Sequence, residues 1–407
     1  MDILVYVIFY LICALNIVWG VKKRRSNLLS AAALIIMFLL ISFNYYGPDV
    51  EVYANTYKAV GEANGLRAAL NATYMEKGYA FLMYCSNGIG FDFYAFRIVI
   101  TIFCFALLMS TIRFYKANPN FILGLYMAYL FFFDSIQFRN FIVECIMLYA
   151  TRYLTKKTGG NILKYFLCVA IAASMHTIAL IYLSLVAVWF LRKRSVCKNV
   201  FVFGILIFAA CVMCRPVLPR LMAIAVSILK RGGQYLSLSS RFSYFIVMAF
   251  HLFSLGTLVR YKKDVVDCNL QKRIEYIIKI QITIGIFMFL CIIDGSFYRI
   301  FRNLFVLDMI GMAVLYEATP IRKSSKIILA SEFIYVGGWL AVDLVRNYKM
   351  NIIGYAMNYN LIFDGVPTIQ ALQYMGVAAL CLIAVACIKL LFKTKKEYKK
   401  GALVTCK

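Results

Sequence analysis

The stretch DSIQFRNFIVEC, residues 134–145, places Arg139 between the apolar runs FILGLYMAYLFFF and IMLYA, with Asp134 and Glu144 to either side. A charge held in hydrocarbon costs about 2.5–3.5 kcal/mol even on insertion scales, so such a residue is kept for what its charge does. A guanidinium suits an anion with paired oxygens, because its planar fork donates parallel N–H bonds to a phosphate. SFYRIFRN adds Arg299 and Arg302, and the segment 215–241 carries five basic residues, Arg241 among them, and no acid. Taken alone that segment reads equally well as a solvated face; with Arg139, Arg299 and Arg302 it is expected to form a phosphate site. A second chemistry belongs to His176, one of two histidines, in IAASMHTIALIYL between two short apolar runs. An imidazole exchanges a proton near neutral pH. His251, in VMAFHLFSLG without a charged neighbour, reads as a packing residue.

The elements that must position these groups are membrane helices. The chain has 407 residues, is 63% hydrophobic and has a mean hydropathy of +0.79, far outside the soluble range. The expected fold is all-α: a polytopic integral membrane protein forming one transmembrane domain over 1–407. Thirteen apolar runs, from 2–20 to 368–391, are candidate crossings; the fourth to seventh (120–134, 138–154, 161–174 and 177–191) are short. The first run is expected to be a retained span, since no basic residues precede it and no cleavage motif follows. The thirteen cysteines are scattered, apart from the close pair Cys211 and Cys214, and imply neither a disulfide framework nor a metal site. KKRR at 22–25, RKRSVCK at 192–198, RYKK at 260–263, RKSSK at 322–326 and the tail 393–407 fall on one side under alternation. That side is expected to be the cytoplasm of a bacterial inner membrane, with the N-terminus outside and the C-terminus inside. The net charge of +26 is mostly topogenic, and no nucleic-acid partner is expected. No phosphate-cradling glycine motif is present and no cofactor is expected.

The outer segment 46–92 sets Asp49, Glu51, Glu62, Glu76 and Asp92 against Lys58, Arg67 and Lys77 and contains many tyrosines, Tyr53, Tyr57 and Tyr79 among them. Acids and tyrosines on an extracytoplasmic ledge suit sugars, which stack on rings and donate hydroxyls to carboxylates; an interfacial helix with an aromatic belt is the plainer reading.

In order, PDVEVYANTY, MEKGYAFL, SIQFRNFIVECIMLYA, SMHTIALIYL and SFYRIFRNLFV resemble the EpsG family of Wzy-type polysaccharide polymerases, well over 45–190 and weakly elsewhere. The resemblance implies a GT-C-like polymerase/ligase architecture and functional roles for Asp49, Tyr53, Tyr57, Glu76, Tyr79, Arg139, His176 and Arg299. It also implies a reaction on polyprenyl-diphosphate-linked oligosaccharides at the outer membrane face, with a chain-length regulator and a flippase as partners. On that reading the growing chain would leave its lipid diphosphate for a hydroxyl of the incoming unit; Arg139, Arg299, Arg302 and Arg241 are expected to stabilise the departing diphosphate without metal, and His176, ahead of Glu76, to take the proton. One departure is Asn140 in place of the usual Gln, with Glu144 one turn on and able to pair with it. O-antigen-ligase-type transfer, lipid-linked oligosaccharide export and O-acyl transfer are the alternatives. Exporters are expected to show charges along a central cavity between similar halves, and an acyltransferase takes its donor from the cytoplasm.

A reporter active only in the cytoplasm is expected to work when fused after Lys198 or Lys326 and to be silent after Gly61 or Gly233. Activity at Gly61 would place the acidic ledge and the basic connections on one side.

Overall fold

Polar side chains punctuate the apolar runs and start the helices. Ser26 accepts from the Leu29 amide, Asp92 from Ala95, Asn118 from Asn120, Thr158 from Asn161 and Asp267 from Asn269 and Leu270, each satisfying amides that a helix start leaves unbonded. The computed structural model describes residues 3–191, 194–214, 220, 243–320, 322–346 and 352–363. The first half comprises α1 (Ile3–Val21), α2 (Asn27–Ser42), α3 (Pro48–Gly61), α4 (Leu66–Asn71), α5 (Lys77–Gly88), α6 (Phe93–Tyr115), α7 (Pro119–Ala128), α8 (Leu130–Ile136), α9 (Phe138–Ala150) and α10 (Gly159–Met175). A 3-10 helix, Thr177–Trp189, leads to α11 (Arg194–Met213), α12 (Ser243–Tyr261), α13 (Cys268–Gly285), α14 (Leu290–Ile293), α15 (Arg299–Arg302), α16 (Phe305–Ala318), α17 (Arg322–Arg346) and α18 (Ile352–Met357). Among the described residues all regular structure is helical, with one isolated antiparallel bridge between Asn44 and Asn360.

Six described helices are long and apolar enough to cross a membrane, seven if α7 and α8, bent by 65°, count as one span. The chain is a multi-pass membrane protein. Sequence runs suggest thirteen crossings, but the short ones resolve differently: 120–134 is the bent α7–α8 pair, and 161–174 and 177–191 become α10 and the 3-10 helix, below a full crossing in length. The run 368–391, the tail 393–407 and all of the basic segment 215–241 except Arg220 lie outside the described residues.

The core forms where α6, α7, α9 and α16 meet, α16 being buried along most of its length. Without a hydrophobic force between helices in lipid, close packing and interhelical hydrogen bonds hold them. Asn120 donates to Asn16 Oδ1 at 2.8 Å and to the Ser26 carbonyl at 3.0 Å, and accepts from the Ser26 amide at 2.7 Å, joining α1, α2 and α7. Beside it, Gly124 lets α7 lie directly on α1: a Cβ there would sit 2.7 Å from Ile17 Cγ1 and 2.9 Å from the Ile17 amide nitrogen.

Gly124→Ala therefore forces α1 away from α7 and should lower stability by about 1–3 kcal/mol, the usual cost of overpacking. Thermal unfolding in detergent reads this; an unchanged melting temperature would mean that the two helices are not in register at Gly124.

Candidate functional site

Glu76 is the N-cap residue of α5, yet its carboxylate does not cap that helix. It reaches across to the bundle instead. Oε2 accepts from Arg139 Nη1 at 2.5 Å, while Oε1 accepts from the amide and hydroxyl of Thr177, both at 2.9 Å. Arg139 stands in the first turn of α9 because Gln137, at φ −89° and ψ 61°, breaks the chain between α8 and α9. His176 is the joint between α10 and the 3-10 helix: its extended backbone, φ −156° and ψ 122°, ends one and starts the other. Gly78 permits this meeting, since a Cβ there would come within 2.7 Å of the Ser174 carbonyl oxygen on α10. The glycine of the Glu-x-Gly-Tyr motif is thus a packing requirement.

His176 Nδ1 accepts from the Ile178 amide at 3.4 Å and lies 3.6 Å from Glu76 Oε1. In the tautomer that accepts this amide the ring proton is on Nε2, which then donates. With the proton on Nδ1 the ring faces Glu76, and Nε2 is free to accept. Burial, then Arg139, push the imidazole down to about 4, with Glu76 pulling upward and Arg299 downward, so it is neutral at pH 7. Burial pushes the Glu76 carboxyl up, but the Thr177 amide, Arg139 and His176 outweigh it and leave it below the ordinary range. A carboxylate already accepting from three donor groups is a weak base and a good anchor.

Arg299 opens α15 after a turn, Gly295–Tyr298, that Asp294 caps by accepting from Ser296. Arg302 is fully buried; it donates to Gln137 Oε1 at 2.6 Å and to the Tyr298 hydroxyl at 3.1 Å. Asn140 donates to Asn303 Oδ1 at 2.7 Å, and Tyr182 to the Ile300 carbonyl at 2.8 Å, so α9, α15 and the 3-10 helix form one unit. The Nε atoms of Arg139, Arg299 and Arg302 are buried and bond no described protein atom. Asp49, in the first turn of α3, is raised by burial, against Arg299, Arg139 and Arg302, which act on it in that order. Asp49, Glu76, Arg139, His176 and Arg299 therefore share one electrostatic site.

Other expected residues have different places. Tyr53 is buried with Arg139 over its ring at 5.6 Å, and it packs edge-on against Tyr79. Tyr57 and Tyr79 are core residues: Tyr57 donates to Ser86 and to the Phe91 carbonyl, and Tyr79 is 0% exposed, so neither ring is open to stack on a sugar. Arg241 lies outside the described residues. The acids flanking Arg139 do not pair with it: Asp134 and Glu144 hydrogen-bond each other, with Tyr126 donating to Asp134 at 2.7 Å. Glu144 is thus engaged away from Asn140, whose donor goes to Asn303, because both carboxyls turn into the α7–α9 core. Thr177, Gln137, Asn303 and Arg97 were not evident from sequence. Arg97, 1% exposed, donates to the carbonyls of Asn44 at 2.5 Å and Ser135 at 3.4 Å, between the Phe93 and Phe138 rings. Its one sequence signal is a charge inside an apolar run, the signal that singled out Arg139.

No group of three or more His, Cys, Asp or Glu side chains among the described residues is placed to hold a metal. The family model described as EpsG family matches residues 27–357, a span that includes Asp49, Glu76, Arg139, His176, Arg299 and Arg302. Neither the curated proteins nor the solved structures contain a match.

The depressed His176 value fixes a sign. An unfolded chain protonates this ring below about 6.5, while the folded site leaves it neutral down to about 4. Stability is therefore lost as pH falls through that window, by at most about 1.4 kcal/mol per pH unit, and is unaffected above it. The melting temperature should fall more steeply between pH 6.5 and 4.5 for the wild type than for His176→Gln; parallel curves would mean that the ring is open to water.

Proposed function

The chain belongs to the EpsG family of Wzy-type polysaccharide polymerase-like proteins, and from that premise we propose that it extends a bacterial surface polysaccharide at the outer face of the cytoplasmic membrane. The donor is the growing chain on a polyprenyl diphosphate, and the acceptor is a hydroxyl of the next lipid-linked repeat unit. The orientation, N-terminus outside and C-terminus cytoplasmic, follows the basic connections; thirteen crossings in a GT-C-like arrangement count the short apolar helices and the run 368–391 as spans. A chain-length regulator and a flippase are the expected protein partners.

The acceptor oxygen attacks the anomeric carbon of the growing chain and forms the new glycosidic bond. The bond from that carbon to the diphosphate oxygen breaks, and its electron pair leaves with the diphosphate. The carrying observation is the pair of guanidinium Nε–H groups on Arg139 and Arg299, both close enough to act on His176, that lack described protein partners; Arg302, fully buried and bonded to Gln137 and Tyr298, adds charge from the interior. Fixed donors of this kind need no reorganisation as charge develops on the leaving group. His176 takes the acceptor proton on Nε2, which requires the tautomer with Nδ1–H directed at Glu76 Oε1, 3.6 Å away, in place of the long 3.4 Å bond from the Ile178 amide. Glu76, bonded to Arg139 and Thr177, sets the separation between base and guanidinium, which supports His176 over Glu76 as the base. Asp49 and Tyr53 stand beside Arg139, where they hold sugar hydroxyls or orient the guanidinium. Arg241 would add charge from the basic segment.

In an in vitro assay on a lipid-diphosphate repeat unit, Arg139→Lys should cut the rate by about 10²-fold or more, because a point charge does not reproduce the fork. His176→Gln should cut it by about 10²–10⁴-fold with substrate affinity kept. Wild-type polymer from the Lys variant at normal protein level would reduce Arg139 to a helix-end anchor. Unchanged turnover in His176→Gln would leave leaving-group stabilisation as the whole chemistry.

A further inference from the structure

At the other end of the bundle the chain closes around a second basic feature. α16 runs from the Arg302 end down to Glu317, fourteen residues and so about 20 Å of helical rise from the first site. There a crevice of about 590 Å³ opens between the end of α1, the end of α16 and the start of α17, lined by Lys23, Tyr316, Thr319, Ser325, Lys326 and Leu329 among others.

We propose that this crevice binds a phosphate group carried by an amphipathic ligand at the basic face of the membrane. Lys23 is fixed there: it lies over the Tyr316 ring at 4.7 Å and gives one N–H to the Glu317 carbonyl at 3.3 Å, which leaves two donors. Its backbone adopts φ 55°, a left-handed turn that brings the chain end of α1 back over α16. Lys326 approaches from the second turn of α17, a helix of 25 residues whose leading amides and positive dipole end favour an anion. The lining carboxylate, Glu317, is neutralised by Arg25 at 3.1 Å, so the lysines keep their excess charge. Thr319 is the independent sign of a ligand. It lines the crevice, is 1% exposed, and its Oγ1 finds no partner among the described residues, a cost of about 1–3 kcal/mol unless a bound oxygen accepts from it. Ser325 Oγ is held only by a long 3.5 Å bond to the Tyr316 carbonyl and can swing to the same oxygen. Leu329, Val266 and Pro320 form apolar walls beside these donors, which fits a headgroup with an attached tail better than a free ion.

The test uses the full chain in detergent, with binding read by native mass spectrometry and thermal shift. The probes are short-chain phosphatidylglycerol and inorganic phosphate, with the matching diacylglycerol as the phosphate-free control. The expected result is saturable binding of phosphatidylglycerol, no binding of diacylglycerol, and affinity lower by about tenfold or more in Lys23→Gln/Lys326→Gln. Thr319→Val should weaken binding by about threefold to tenfold, a loss that removal of surface charge does not explain. Saturation by inorganic phosphate as well would assign the site to a free phosphate; binding of the lipid alone assigns it to a headgroup. Wild-type affinity for both probes in the double variant, or no binding of either by the wild type, would overturn the proposal. The single variants Lys23→Gln and Lys326→Gln, each at an exposed position, carry the same test if the double variant does not fold.

Discussion

The arrangement turns on one carboxylate. Glu76 belongs to a segment outside the spans, yet all its donors come from the bundle: Arg139 on α9, and the amide and hydroxyl of Thr177 just past the His176 joint. An arginine buried near lipid requires a counter-charge, and a helix that begins in mid-bundle requires acceptors for its first amides. Glu76 meets both needs at once. Removing it would leave the Arg139 charge uncompensated and free the joint, which is why the water-facing ledge and the membrane core cannot be treated as separate modules.

The fold class and the grouping of the candidate site were legible in the sequence for different reasons. Hydropathy alone forces helices, because no other element satisfies its own backbone groups in lipid. Arg139, His176 and Glu76 stood out because an ionisable group in or beside hydrocarbon is costly enough to need a purpose, and the structure places the three together. What hydropathy does not encode is where a run bends. FILGLYMAYLFFF is uniformly apolar, but Tyr129, at φ −138° and ψ −73°, turns it by 65°, and nothing in the composition marks the turn. Nor does composition reveal which face of an amphipathic helix is occupied: Tyr57 and Tyr79 look as available as Tyr45 or Tyr46, and only the packing of α3 and α5 on α6 turns them inward. Long-range pairs such as Asn140 with Asn303 are invisible for the same reason.

Buried polar contacts divide into two kinds. Asn16, Asn120 and Ser26 form a closed set in which most donors and acceptors are spoken for, and such sets fix the register of helices. Around Arg139, Arg299 and Arg302 one buried Nε–H each bonds no described protein atom. Unpartnered buried atoms are not confined to these arginines, since Ser30, Ser42, Thr101 and Gln281 each hold one as well, so it is the convergence of Arg139 and Arg299 on His176 and Asp49 that marks the site.

The bridge between Asn44 and Asn360 bears on the order of assembly. Tyr45 donates its amide to the Tyr359 carbonyl at 3.0 Å, Asn44 donates to the Tyr355 carbonyl at 2.8 Å, and Tyr6 reaches Asn358 Oδ1 at 2.5 Å. The start of the ledge, only a few residues before Asp49, is thus clasped by a segment synthesised more than three hundred residues later. Contacts of such separation close last, after the intervening helices have been inserted. A ribosome-bound chain would therefore carry its Arg139 and His176 early but hold an unclasped ledge, and the site would reach its final shape only once the last helices had been made.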